Sequence, residues 1–394
     1  MMAAEKSKRA KEKKTPQKKK SFNSALFKIL LIFFAAVILI FTAARNIGGI
    51  TLTTITSDIK VFFQSLGSGD GFPYKATGEA SEKIICDGKN IFTASEDKTL
   101  LLSPSAKVIS ELPIQYGNPT FKYNNGRVLI YDRNSVKIRI QNKSSVIFET
   151  EFENIISAAA IGKKGIYAVA LQPSGSQTEL TVYKKNHKEL FKRSFTGERI
   201  TDIDISDDGK YAAVSTISSK DAQVNSKVYV LKFDSQKPVS CFEFEKSAVV
   251  SVEYDKSHNI AVISNTGRTY IKDNSSLCKE NEFSPDILFK FSNTKGKYSA
   301  VALKKYGSDS IGSVRLYKGD KLSETISISK EIKDVFCTEK YTVVLTADSV
   351  MIYKNTSGKL KKEVPADSSV NEISVRNKKI YMLSPSEITC EKFR

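Results

Sequence analysis

A unit of about 41 residues recurs eight times after Lys83, and this recurrence limits the fold more than any other feature of the sequence. Its clearest copy runs from Ile200 to Phe233. There Ile-Thr-Asp-Ile-Asp-Ile-Ser leads through Asp-Asp-Gly-Lys into Tyr-Ala-Ala-Val-Ser, and later Lys-Val-Tyr-Val-Leu-Lys-Phe. Apolar residues alternate at Ile200, Ile203 and Ile205, and Gly209 suits a tight turn, so the copy reads as three strands rather than a helix. The strand after each first turn begins near Ile91, Val128, Ile166, Tyr211, Ile260, Tyr298, Thr342 and Ile380. That spacing is the length of a four-stranded propeller blade. The third strand often closes on an aromatic, at Tyr183, Phe233, Tyr317 and Tyr353. The sequence therefore predicts an all-β, eight-bladed β-propeller of WD40 or quinoprotein-like architecture over residues 72–394. The eighth unit stops one strand short. Phe72 to Thr77 has no other partner and is expected to supply the missing strand, which removes an exposed edge.

The chain before the repeats is of another kind. Residues 1–28 hold ten Lys or Arg and two Glu, a large part of the formal net charge of +18. Residues 1–24 read as a disordered basic tail, because such a composition buries too little apolar surface to order itself. Residues 25–44 are almost wholly apolar and about 30 Å long as a helix, enough to cross a bilayer. They are predicted to be a transmembrane helix with its Lys-rich end in the cytoplasm. A cleaved signal peptide is the competing reading, since Thr42-Ala43-Ala44 are small enough for a peptidase site. Alone, the basic tail would suggest a nucleic-acid partner; beside the apolar run it marks membrane orientation, and no nucleic acid is expected. Residues 45–71 carry a helical apolar stripe at Leu52, Ile55, Ile59, Phe62, Phe63 and Leu66, then Gly67-Ser-Gly-Asp-Gly71. They read as a stalk, or a helix packed on the domain, followed by a flexible joint.

Four stretches inside this frame resemble a family of membrane-anchored propeller proteins of Gram-positive bacteria, catalogued only as a domain of unknown function. They are Gly71-Phe-Pro-Tyr74, Tyr116-Gly-Asn-Pro-Thr-Phe-Lys, Val128-Leu-Ile-Tyr-Asp-Arg133 and Glu179-Leu-Thr-Val-Tyr183. The resemblance implies the fold and an envelope location, and assigns no catalytic residue.

The side chains point away from familiar chemistry. Five Cys lack a C-x-x-C pair or a His at ligand spacing, so no zinc site is expected. One disulfide is compatible with an extracytoplasmic location, and spacing does not select its partners. His187 and His258 fall in turns, far from any nucleophile motif. Phosphate loops, H-E-x-x-H and EF-hand spacing are missing, and without Trp so is the repeat signature of quinone-dependent propellers. No catalytic residue, cofactor or metal is therefore predicted.

Two candidate sites remain. Aligning first strands puts Asp202, Asp334 and Glu372 at equivalent positions, with Ser157 and Ser251 matching them. They would ring the channel, either to hold a cationic ligand or to bond neighbouring backbone at the blade starts. The second is the face carrying the longest connections, Gln172 to Thr178, Ile217 to Lys227 and Lys304 to Gly312. Lys220, Asp221, Lys304, Lys305 and Tyr306 are its candidate partner-binding residues. The opposite face carries repeatedly basic turns and should look towards the membrane. The function expected is a single-pass, membrane-anchored, extracytoplasmic binding or scaffold module for a protein or envelope polymer. An envelope enzyme, hydrolase or dehydrogenase, using the channel and an envelope sensor are the alternatives.

Overall fold

The computed structural model describes Leu31, Phe34 and residues 59–64, 66–75, 83–87, 90–173, 175, 177–220, 222–293, 296–308 and 311–393. The chain divides into two compact units, Met1–Ile50 and Thr51–Arg394. In the first, Leu31 and Phe34 are helical and exposed. The rest of the predicted tail and transmembrane stretch lies outside the described residues, among which no helix is long and apolar enough to cross a membrane.

The second unit is an eight-bladed propeller. Blade 1 is Lys83–Asp87, Asn90–Ala94, Lys98–Leu102 and Val108–Pro113, and each later blade repeats this meander. All eight sequence markers fall on or beside second strands, from Asn90–Ala94 to Lys379–Leu383. The turn chemistry explains why. In blade 4, Gly209 takes φ of 69°, its N–H reaches the Ser206 carbonyl at 2.8 Å, and Asp208 Oδ1 accepts the Lys210 N–H at 3.1 Å.

Ring closure follows the expectation. Tyr74–Lys75 is the outermost strand of blade 8, with Tyr74 opposite Ile388 and Lys75 opposite Glu387. The stretch before it behaves differently from a free joint. Gly69 N–H donates to Ser105 Oγ at 3.0 Å, Gly71 N–H to the Ser105 carbonyl at 3.1 Å, and Lys107 Nζ to the Leu66 carbonyl at 2.7 Å. A Cβ on Gly69 would lie 2.4 Å from the Ser105 carbonyl oxygen, so glycine here permits a close backbone approach.

Side chains from facing blades form the core. At the seam between blades 3 and 4, Ala158, Ala160, Ala168 and Ala170 leave room for Ile200, Ile203 and Ile205. Burying each large aliphatic side chain is worth roughly 1.5–3 kcal/mol, so apolar contact supplies the adhesion. Polar groups then set register. First strands of blades 3 to 7 share a β-bulge at one level, between Ile156 and Ala158, Ile200 and Asp202, Val249 and Ser251, Leu288 and Lys290, and Ile332 and Asp334.

Candidate functional site

The three channel carboxylates bridge blades. Asp202 is 8% exposed; its Oδ2 accepts the Val252 N–H of blade 5 at 3.1 Å, and its Oδ1 meets Lys122 Nζ at 2.8 Å. Asp334 Oδ2 accepts the Ile373 N–H of blade 8 at 3.0 Å. Glu372 Oε2 accepts the Ile84 N–H of blade 1 at 3.1 Å, while Oε1 pairs with Lys83. A second tier repeats the arrangement one pleat along. Asp204 accepts from Tyr254, Ser292 from Cys337 and Ser374 from Cys86, at 2.8, 2.9 and 3.2 Å. Each bond satisfies a first-strand N–H that faces the channel.

Burial and charge compete in this ring. Burial pushes Asp334 above the ordinary carboxylate range, against the Ile373 N–H and the ammonium groups of Lys290 and Lys83. Burial raises Glu372 as well, against Lys83. Burial disfavours charge on Lys122, but the Asp202 carboxylate outweighs it and holds the ammonium above its usual range. A cavity of about 320 Å³ beside Asp334 is also lined by Lys83, Glu253, Lys290 and Glu372. Acids and bases both line it, and no cluster of three His, Cys, Asp or Glu among the described residues is placed to hold a metal.

Sequence alignment placed one member of the ring wrongly. Ser157 is the extra residue of the blade 3 bulge, and its Oγ donates to the Ala170 carbonyl at 3.3 Å, as Thr201 Oγ1 does to Ser215. Ala158 is therefore the true counterpart of Asp202. Ser251 does occupy the aligned level. Both histidines sit in turns, as expected: His187 stacks on Phe148 with centroids 3.9 Å apart, and His258 Nε2 lies 3.2 Å from Asp208.

On the long-connection face, the stretch at Ile217–Lys227 is a β-ribbon rather than a loop. Tyr211–Lys220 and Gln223–Lys232 stay paired until Lys220 meets Gln223. Its base is braced by Glu198, which accepts from Thr216 Oγ1 at 2.6 Å and Tyr229 OH at 3.0 Å and pairs with Lys227 at 3.3 Å. Asp221 and the Lys220 side chain lie outside the described residues. In blade 6, Lys304 Nζ sits 4.1 Å from the Phe289 ring centroid, Lys305 is exposed, and Tyr306 is 78% exposed at the tip.

The faces also differ in charge, which sequence reasoning saw on one side only. Among the described residues, connections on the short-turn face hold fourteen Lys against seven Asp or Glu, a net of +7. Connections on the long-connection face hold nine Asp or Glu against four Lys or Arg, a net of −5. Neighbouring turns touch, with Asn125 Nδ2 reaching the Lys163 carbonyl at 3.4 Å and Lys163 pairing with Asp207 at 3.6 Å.

Fold and ring together define an eight-bladed β-propeller whose channel is a set of interblade bonds. The chain belongs to a family of unknown function (DUF5711), whose profile matches residues 73–320. No curated protein matches it. Solved structures of similar fold include the C-terminal WD40 domain of Sif2 (TM-score 0.61, 11% identity, 83% of this chain and 100% of that one). BamB from Moraxella catarrhalis is similar at TM-score 0.53 and 10% identity, over 82% of this chain and 100% of its own. Chaetomium thermophilum Sqt1, bound to the N-terminus of the ribosomal protein L10, matches at TM-score 0.54 and 13% identity, over 83% and 100%. At such identities the likeness shows the fold alone.

Proposed function

We propose that this chain is a membrane-anchored, extracytoplasmic propeller that binds a protein partner through its long-connection face and catalyses nothing itself. The observation that carries this reading is the braced ribbon at Ile217–Lys227 on the same acidic face as the exposed Tyr306. A rigid scaffold presenting an aromatic and a ribbon edge is suited to recognition, and the negative rim favours a partner with accessible Lys or Arg. Sqt1, a propeller of similar fold, holds the N-terminus of another protein, which supports a protein rather than an envelope polymer. The channel carboxylates are interblade bonds in this reading. The anchor rests on the sequence, where a Lys-rich run precedes the apolar residues 25–44.

A photoreactive residue placed at Tyr306, and separately at Lys359 on the opposite face, tests the reading in living cells. One discrete adduct is expected from position 306 and none of that size from 359. Equal capture from both positions, or none from 306, overturns it.

A further inference from the structure

Residues 59–64 form a helical turn and a half whose two sides contrast. Val61 is 5% exposed, packed in the cluster that joins blades 1 and 2. Ile59, Phe62, Phe63 and Leu66, spaced i, i+3, i+4 and i+7, are 49, 60, 64 and 53% exposed. Large apolar side chains are rarely left together in water, so this stripe faces something apolar. Its position is fixed, because the Lys107–Leu66 and Ser105–Gly69 bonds hold it to the turn between the third and fourth strands of blade 1. That turn belongs to the basic face. Next round the ring come Lys143 in blade 2, Lys164 and Lys185 in blade 3, and Lys210 in blade 4.

From this juxtaposition we infer that the short-turn face of the propeller is itself a docking surface for an anionic lipid bilayer, with Ile59, Phe62, Phe63 and Leu66 inserted at the headgroup level. A helix with an apolar face beside a cationic surface is the form taken by proteins that lie on membranes. An acidic protein would suit the charge but not the exposed apolar stripe at Ile59, Phe62, Phe63 and Leu66, whereas an anionic bilayer suits both. The inference extends the membrane reading above to the propeller's own surface, and it stands whether or not residues 25–44 span a bilayer. The lipid holds the domain by its basic face, and the acidic face then points to solvent.

Hydrogen exchange on the full chain decides it, with vesicles of phosphatidylcholine alone or mixed with phosphatidylglycerol. With anionic vesicles, exchange should slow in peptides covering 59–71, 162–166 and 184–188, and stay unchanged at 304–312. Protection should fade as salt rises. Each surface lysine adds roughly fivefold to partitioning, so Lys164→Gln, Lys185→Gln and Lys210→Gln together should weaken it on the order of a hundredfold at low salt. Phe62→Ser with Phe63→Ser should weaken it without altering the exchange of the free domain. Protection that needs no anionic lipid, or none from either vesicle, overturns the inference. Protection by polyglutamate alone also overturns it and assigns the face to an acidic protein. Failure of the anchor reads separately, as loss of the chain from phosphatidylcholine vesicles on sedimentation while protection by anionic vesicles persists.

Discussion

Two parts of the ring solve blade adhesion in opposite ways. Between blades 4 and 5, and again between 7 and 8, a buried carboxylate accepts a first-strand N–H from the next blade, so the polar groups brought together are paired. Between blades 5 and 6 the outer end is clasped, with Arg315 Nη1 donating to the Glu282 carbonyl at 2.5 Å. Deeper in that seam, however, Arg268 is 2% exposed and its Nε and Nη1 have no partner among the described residues. The same is true of Ser299 Oγ, Ser313 Oγ and Tyr317 OH. The guanidinium lies 4.4 Å from the Tyr317 ring centroid, and burial lowers its pKa from the usual arginine value. A cavity of about 20 Å³ beside it is roughly room for one water. A paired polar group fixes one register; an unpaired one weakens the seam it occupies. Seam 5/6 is thus the place where the ring should open first.

The largest effect should come from removing a paired group. Asp202→Ala leaves the Val252 N–H without its acceptor and Lys122 without its counter-ion, and should lower unfolding free energy by about 2–3 kcal/mol, read as a shifted urea midpoint at constant slope. A loss no larger than that of an exposed substitution such as Lys359→Ala would end the idea that these groups hold the seam.

Asp334→Asn sharpens the point through pH. The folded pKa of Asp334 lies above its unfolded value, so the folded chain binds the extra proton. Its contribution is therefore present at low pH and is lost as pH rises from about 4 through the raised value. Asparagine keeps an oxygen for the Ile373 N–H and cannot ionise. The variant's stability should fall less steeply over that range when melts are followed against pH. Parallel profiles for the two proteins would show that Asp334 titrates as it does in the unfolded chain.

The smallest change is expected at the other seam. Arg268→Met removes a buried, unpaired cation while keeping much of its volume, and should alter stability by less than about 1 kcal/mol or raise it. A loss comparable to that of Asp202→Ala would mean that Arg268 is fully compensated, and the contrast between seams would disappear.

How much of this could be read beforehand follows from distance along the chain. Blades were legible because each turn signal, such as Asp208-Gly209, acts within its own hairpin. The closing strand was legible by elimination. Asp202, Asp334 and Glu372 were found as a ring, but their partners were not, because Lys122 lies 80 positions from Asp202 and Lys83 lies 289 from Glu372. Ser157 was misplaced by one position because blade 3 carries an apolar residue, Ala158, at the level where blades 4 and 5 carry Asp202 and Ser251. The ribbon at Ile217–Lys227 was taken for a loop since its residues are mostly polar, and a ribbon projecting from the ring buries little that would mark it. Nothing local in Gly267–Lys272 shows that Arg268 would face Tyr317 without a carboxylate.

The two-residue strand at Tyr74–Lys75 bears on the order in which the molecule assembles. Nearly every other strand pair joins residues within one repeat, so hairpins can form as soon as their residues are available. Tyr74 and Ile388 must instead find each other from opposite ends of the domain, and the entropy of closing so long a loop is met by a very short strand and the bonds around it. Blade 8 can be completed only after the last residues exist. Until then the nascent chain is an open arc with two unpaired sheet edges, exposed for as long as synthesis of the remaining blades takes.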